Sequence, residues 1–294
     1  MKTVLVLDSS QINEAIKCHH MWALNYREHL SNATNVTTAL DEGTLMHALL
    51  DVYYTLIATG GPRLNIYTAA QAAVVALTAD RTFEAYLKDK SADRWEFLVQ
   101  RFMQYVARYS SNDFQPIINK GRPSVEVGFS KVLFEDSKRL FIVEGRIDLI
   151  STINGERLWM DHKTQSTQGN LYKYKSQFLT YAWATGYKYG IINYIRLHAK
   201  YDDRHTLVRE TIQFPQHLIL RWEERMLHLF FELAKVIESS NGDSEHFKRE
   251  PGACAGAFEK SPCQYTQICE TESAEMREQI KKFHYIKRTP WSPW

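Results

Sequence analysis

RLFIVEGRIDLIS over residues 139–151 and ERLWMDHKT over residues 156–164 are two apolar-rich runs separated by Thr152-Ile153-Asn154-Gly155. The first run is rich in β-branched and aromatic residues, the second reads as a strand after it, and an Asn-Gly pair between two strand runs is the strongest short signal of a tight hairpin. A two-stranded unit is therefore expected around Asn154-Gly155. Within it, Asp148 interrupts an apolar strand between Ile147 and Leu149. Asp161 and Lys163 follow on the second strand, where alternation points residues 161 and 163 to one face. Pairing around the turn sets Asp148 beside them, so two carboxylates and one ammonium converge at a sheet edge.

Working outward, Ser124–Phe134 reads as a further strand, and strands are expected near 191–199 and 206–213 with a helix at about 171–186 between. A long amphipathic helix is expected from Pro215 to Ile237, since proline suits the first helical turn. Upstream the pattern is helical: 11–30 after Asp8-Ser9-Ser10, 40–58 ending at Gly60-Gly61-Pro62, then 66–78 and 92–110. From Ser239 onward the chain reads as a loop-rich tail. The expected division is a helical part over 1–110, an α/β core over 111–238 and a cysteine-bearing tail over 239–294, all helices surrounding one sheet.

Composition narrows the class of function. With 294 residues, 44% hydrophobic and 24% charged, the chain has the makeup of a globular protein with a sizeable core. No apolar run approaches the roughly 18 residues needed to span a bilayer. The apolar stretch Val4–Leu7 is too short for a secretory signal, so a cytoplasmic location is expected. Net charge is only +2, so any nucleic-acid partner must be met by a local basic face. Lys173 with Lys175, Lys200 with Arg204, and Lys281, Lys282, Lys287 and Arg288 supply such clusters, each equally readable as a solvated face. In Tyr172-Lys173-Tyr174-Lys175 aromatics alternate with lysines, a pattern suited to base stacking and phosphate tracking.

The chemistry of the acidic pair is specific in kind. Hard carboxylate oxygens select Mg²⁺ or Mn²⁺. Such a metal polarises a phosphate and lowers the pKa of bound water. Lys163 beside it orients or deprotonates water, or neutralises developing charge; the sequence leaves these alternatives open. A buried carboxylate needs a cation nearby, which makes Asp148 the more telling half of the pair.

The four cysteines, Cys18 and then Cys254, Cys263 and Cys269 in a C-x₈-C-x₅-C arrangement, point to metal rather than disulfides in a chain read as intracellular. Zinc sites favour closely spaced C-x₂₋₄-C pairs, whereas a [4Fe–4S] cluster accepts scattered ligands.

Gly145-Arg146-Ile147-Asp148, Asp161-His162-Lys163-Thr164 and Gln177-Phe178-Leu179-Thr180-Tyr181 resemble the motifs of the PD-(D/E)XK nuclease superfamily, and of its RecB-like branch in particular. The resemblance implies a restriction-endonuclease-like α/β core with a central mixed sheet flanked by helices. It implies a catalytic set of Asp148, Asp161, Lys163, Gln177 and Tyr181. It implies metal ligation by His47, Asp148, Asp161 and the backbone carbonyl of His162, with Glu126 either accessory to the site or a solvent-facing strand residue. The cysteine layout resembles the iron–sulfur subgroup that includes AddB-type subunits, CRISPR-adaptation nucleases and phage exonucleases, although the 254–263 spacing is wider than in several members. It implies a [4Fe–4S] cluster on Cys18, Cys254, Cys263 and Cys269, with zinc as the alternative. The expected activity is exonucleolytic cleavage of single-stranded or accessible DNA ends in recombination, repair or phage replication, with a protein partner such as a helicase subunit possible. The alternatives are a CRISPR-adaptation nuclease and a non-catalytic DNA-end-binding subunit. No phosphate-binding G-x-x-x-x-G-K-[ST] loop is present, so helicase activity would come from elsewhere.

Overall fold

The computed structural model describes residues 2–32, 42–60, 65–79, 92–109, 114–165, 176–197, 206–254 and 262–289. The expected DNA-contacting residues Tyr172, Lys173, Tyr174 and Lys175 lie outside these ranges, as do Lys200 and Arg204. Two compact units interleave along the chain: residues 1–37, 129–145 and 220–294 form one, and residues 38–128 and 146–219 the other. The fold is mixed α/β with a central mixed sheet. Among the described residues, no helix is long and apolar enough to cross a membrane.

The second unit carries the acidic motifs. Its helices are α3 (Glu42–Thr59), α4 (Ile66–Thr78) and α5 (Ala92–Arg108). Its strands include the second half of β6 (Arg139–Ile153), β7 (Glu156–Gln165), β8 (Tyr189–Arg196) and β9 (Leu207–Gln213), and α6 (Ser176–Thr185) links β7 to β8. β6 and β7 pair antiparallel, and the turn between them has φ of 51° at Asn154 and 82° at Gly155. Positive φ at both central positions is what the two-residue hairpin turn requires, and Asn and Gly are the residues that tolerate it. β8 runs parallel to β7 through the α6 crossover, and β9 returns antiparallel to β8.

Alternation along the strands sorts the core. Leu149, Leu158, Met160, Ile191 and Ile195 pack with Leu45, Met46, Leu49, Leu50 and Tyr53 of α3 and with residues of α4 and α5. The opposite face presents Trp159, whose ring stacks on Phe178 of α6 at 5.5 Å and 11° and meets Tyr181 edge-on at 5.5 Å. Gly190 lies opposite Trp159 in the β7–β8 ladder, and the indole occupies the space a Cβ would need: one built there falls 2.1 Å from the ring.

In the first unit, β1 (Thr3–Leu7) pairs parallel with the start of β6 through Thr3↔Arg139 to Leu7↔Val143. β5 (Val125–Glu135) pairs with β6, and its Phe134 packs with Phe141 against Phe231 on α7 (Gln216–Ser240).

Two local expectations are corrected here. The expected helix over 11–30 is broken: α1 (Ser9–Lys17) ends at Cys18, which then caps α2 (His19–Trp22), followed by a π-helical turn at Ala23–Arg27 and β2 (Leu30–Asn32). Cys18 has extended φ and ψ, and its sulfur takes the Met21 N–H, so the chain turns there instead of continuing. The short run Val4–Leu7 is part of strand β1. The tail is structured rather than loop-rich among its described residues, with α8 (Pro251–Cys254), α9 (Thr266–Glu270), α10 (Ala274–His284) and β10 (Tyr285–Lys287), the last antiparallel to β2. Leu24, Leu30, Tyr265, Ile268, Ile280 and Tyr285 form the small core that orders it.

Candidate active site

The β6–β7 ladder runs from Ile153↔Glu156 to Leu149↔Met160, and the next positions are Asp148 and Asp161. There the Asp148 carboxylate takes over as acceptor: its Oδ2 receives the His162 backbone N–H at 2.6 Å. The ring of His47, from the second turn of α3, places Nδ1 3.5 Å from the same oxygen. His47 also bonds the backbone of His162. Glu126 completes a triad: among the described residues, His47, Glu126 and Asp148 offer ligand atoms that all lie within 4.8 Å of one another.

Glu126 has φ of +48°, the left-handed region that a non-glycine residue in a strand rarely adopts. Such strain persists where surrounding structure holds it, and it gathers at functional positions. Burial, followed by the Asp148 carboxylate, pushes the Glu126 carboxyl up to about 7. Burial and then Asp161 hold Asp148 well above the usual carboxylate range. His47 is shifted the other way, mainly by burial, which favours the neutral imidazole. Two carboxyls that resist ionising together and a neutral histidine are a donor set short of a cation. The residues therefore fit a divalent metal.

Asp161 and Lys163 form a second element. Asp161 is buried, its Oδ2 lies 2.7 Å from Lys163 Nζ, and its Oδ1 accepts from Gln177 Nε2 at 3.2 Å. Tyr181 sits 3.4 Å from the same Oδ1, but its hydroxyl proton has a shorter acceptor, the Arg146 carbonyl oxygen at 2.7 Å, while Gln177 donates to Tyr181 at 2.7 Å. Gln177 and Tyr181 thus stand on α6 behind Asp161 and tie that helix to both motif strands. Four-residue spacing on one helical face is what lets both reach.

The His162 side chain points into the α3 face of the sheet. Its ring is buried, stacks on Tyr54 at 5.7 Å and 19°, and sets Nδ1 3.1 Å from Asn193 Nδ2. Asn193 accepts from Arg209 Nε at 2.6 Å, and Arg209 donates to Tyr105, which shares a 2.6 Å contact with Tyr54. The guanidinium of Arg209 lies 3.8 Å from the Tyr109 ring centroid. Burial holds His162 well below its ordinary pKa, so its ring is a neutral packing and hydrogen-bonding group.

A cavity of about 470 Å³ opens over the triad, lined by Gly43, Thr44, His47, Ala48, Asp51, Glu126, Arg146, Asp148 and Thr164. Asp51 and Arg146 were not singled out as site residues from the sequence. Asp51 stands four residues after His47, the spacing that shares a helical face, so the signal was available. Arg146 stands two residues before Asp148 on the same strand, the spacing that shares a sheet face.

These motifs now have a family. A model of the PD-(D/E)XK nuclease superfamily matches residues 9–270. The chain belongs to that superfamily. As a PD-(D/E)XK protein it has the mixed sheet and flanking helices the family fold requires, and the divalent-metal chemistry of the family suits its acidic site. No curated protein matches the chain. Among solved structures, "Crystal structure of SSO0001" is 15% identical, with a TM-score of 0.32, covering 90% of this chain and 98% of that one. "Crystal Structure of LHK-Exo in complex with dAMP" is 14% identical, with a TM-score of 0.34, covering 66% of this chain and 94% of that one.

In the first unit of this PD-(D/E)XK protein, the four free cysteines lie within electrostatic reach of one another. Burial and then the Cys254 sulfur push the Cys269 thiol up to about 12; Cys263 is raised mainly by burial. Cys263 donates its backbone N–H to the Cys254 carbonyl at 3.3 Å, so those two ligand candidates are tied through the main chain.

Proposed function

We propose that this protein is a Mg²⁺- or Mn²⁺-dependent deoxyribonuclease acting on accessible DNA ends. The observation that carries the reading is the triad of His47, Glu126 and Asp148 beside the Asp161–Lys163 pair. In this reading His47, Glu126 and Asp148 hold the cation, with Asp161 and the His162 carbonyl contributing from β7. The bound metal supplies Lewis-acid polarisation of the phosphate and an acidified water.

The chain's own groups do the remaining work. Lys163, held at 2.7 Å by Asp161, presents a fixed ammonium where negative charge develops on the phosphate. Gln177 and Tyr181 are positioning residues that fix Asp161 and the β6 backbone. Asn193, through His162 Nδ1, keeps the strand between Asp161 and Lys163 from rotating. Tyr172, Lys173, Tyr174 and Lys175 are proposed to meet the incoming strand. Cleavage at ends, in recombination, repair or phage replication, rests on the RecB-like motifs.

A [4Fe–4S] cluster on Cys18, Cys254, Cys263 and Cys269 is proposed as a structural staple between the start and the tail of the chain. Four thiols in one another's field, with Cys263 and Cys269 raised above their ordinary range, support a cation there. Zinc is the alternative, and iron and sulfide analysis decides between them.

The test is digestion of end-labelled linear DNA and closed circular DNA with Mg²⁺ or Mn²⁺. Wild type is expected to degrade the linear DNA, and Lys163→Ala to fail. Equal rates for the two proteins would remove the assigned site.

A further inference from the structure

We propose that the imidazole of His162 is a positioning residue for the metal site: packed against α3, it sets how far His47 stands from the ligands on the strands. The inference rests on the metal-dependent nuclease reading, and gives a task to a side chain whose backbone carbonyl alone was expected to serve the metal.

The proposed ligands come from two kinds of element. Glu126, Asp148 and the His162 carbonyl belong to strands, whereas His47 belongs to helix α3. A small ion such as Mg²⁺ takes its ligands at about 2.1 Å in a near-octahedral array and tolerates departures of only about 0.2 Å. The spacing between helix and sheet must therefore be fixed. The His162 ring occupies that interface. It is 2% exposed and touches two residues of α3, His47 and Tyr54, seven positions apart and hence on one helical face. Tyr54 covers its plane at 5.7 Å and 19°, and the His47 ring meets it at 6.0 Å and 81°. Tyr105 of α5 closes a further side at 6.2 Å and 83°. Close-packed side chains transmit displacement, so the ring acts as a spacer between α3 and β7.

What holds the ring is a chain of polar contacts across three strands. The ladders place Asn193 of β8 beside His162, and Arg209 of β9 beside Asn193. Arg209 Nε can only donate, and it lies 2.6 Å from Asn193 Oδ1, which turns the amide nitrogen toward β7. That nitrogen can only donate in its turn. It lies 3.1 Å from His162 Nδ1, and also reaches the Tyr105 hydroxyl at 3.1 Å and the Met160 sulfur at 2.8 Å. His162 Nδ1 is therefore an acceptor, and the neutral imidazole carries its proton on Nε2. Arg209, two strands away, thus orients the amide that orients the spacer.

The test is Mn²⁺ titration of the full chain in a double-mutant cycle of wild type, His162→Ala, His47→Ala and the pair, with folding followed by circular dichroism. His162→Ala leaves the backbone carbonyl in place and is expected to weaken Mn²⁺ binding about 10- to 100-fold. In the His47→Ala background the same change should cost no more than about twofold, because the ligand it positions is gone. Lost packing alone would lower thermal stability without this coupling to His47. His162→Gln keeps an acceptor for Asn193 but no ring, and carries the same cycle if His162→Ala does not fold. Nitrogen NMR of the metal-free wild type should find the His162 proton on Nε2; a proton on Nδ1 would overturn the link through Asn193 and Arg209. Wild-type Mn²⁺ affinity in the folded His162 variant, or an equal loss with and without His47, would overturn the proposal while leaving the nuclease reading intact. Undiminished Mn²⁺ binding in His47→Ala would instead remove the triad as the metal site, and this inference with it.

Discussion

Gly190→Ala places a methyl group inside the Trp159 indole. The built Cβ falls 2.1 Å, 2.2 Å and 2.3 Å from three carbons of the six-membered ring, where ordinary contact begins near 3.4 Å, so indole or strand must move by more than 1 Å. Trp159 is fully buried and wedged against Phe178 and Tyr181, so the movement is passed to α6. Overpacking of this kind costs about 1–3 kcal/mol. Replacing glycine also restricts the unfolded chain, which offsets about 0.4–1 kcal/mol. A net loss of about 1–2 kcal/mol follows, or about 2–8 °C in Tm at roughly 2–4 °C per kcal/mol. The assay is urea unfolding of wild type, Gly190→Ala, Trp159→Phe and the double variant. Phenylalanine lacks the benzo ring the methyl strikes, so the cost of Gly190→Ala should shrink by about 1 kcal/mol or more in that background. An equal cost in both backgrounds refutes the steric argument.

Three other outcomes are expected. Arg209→Met strips a donor from Asn193 and Tyr105 and should cost about 1–3 kcal/mol in urea unfolding; an unchanged midpoint would deny the network any weight. Tyr181→Phe leaves the Arg146 carbonyl without its hydroxyl donor, and should cost about 1 kcal/mol and lower the DNA cleavage rate while sparing Mn²⁺ affinity; a wild-type rate would show that Asp161 needs no such support. Cys18→Ala and Cys269→Ala should lower solubility and Tm before they lower the cleavage rate per folded molecule, and should reduce bound iron; wild-type melting in both would count against a staple.

The hairpin and its acidic residues were legible because each depends on local chemistry. Asn154-Gly155 specifies a turn by backbone preference alone, and alternation then determines which face Asp161 and Lys163 share. Gln177 and Tyr181 were named through the resemblance to the RecB-like motifs, and their four-residue spacing then puts them on one helical face. What the sequence concealed is tertiary. Strand β1 is five residues long and gains its partner at 139–143, more than 130 positions away. Cys18 breaks a helix whose polar and apolar spacing continues through it, because its sulfur caps the next turn. The support beneath His162 comes from Asn193 on β8 and Arg209 on β9, which meet it only through strand register: His162↔Asn193 and Asn193↔Arg209. Glu126 was ambiguous because nothing in its neighbours announces a left-handed residue within a strand.

The central claim is that His47, Glu126 and Asp148 hold the catalytic cation while Lys163 acts on the substrate. Mn²⁺ titration of wild type, His47→Ala, Glu126→Gln, Asp148→Asn and Lys163→Ala, paired with cleavage rates, tests it most directly. The account predicts Mn²⁺ affinity lowered about tenfold or more in each of the first three variants, and near-wild-type affinity with lost cleavage in Lys163→Ala. Undiminished Mn²⁺ binding in the triad variants, or full cleavage by Lys163→Ala, would contradict it.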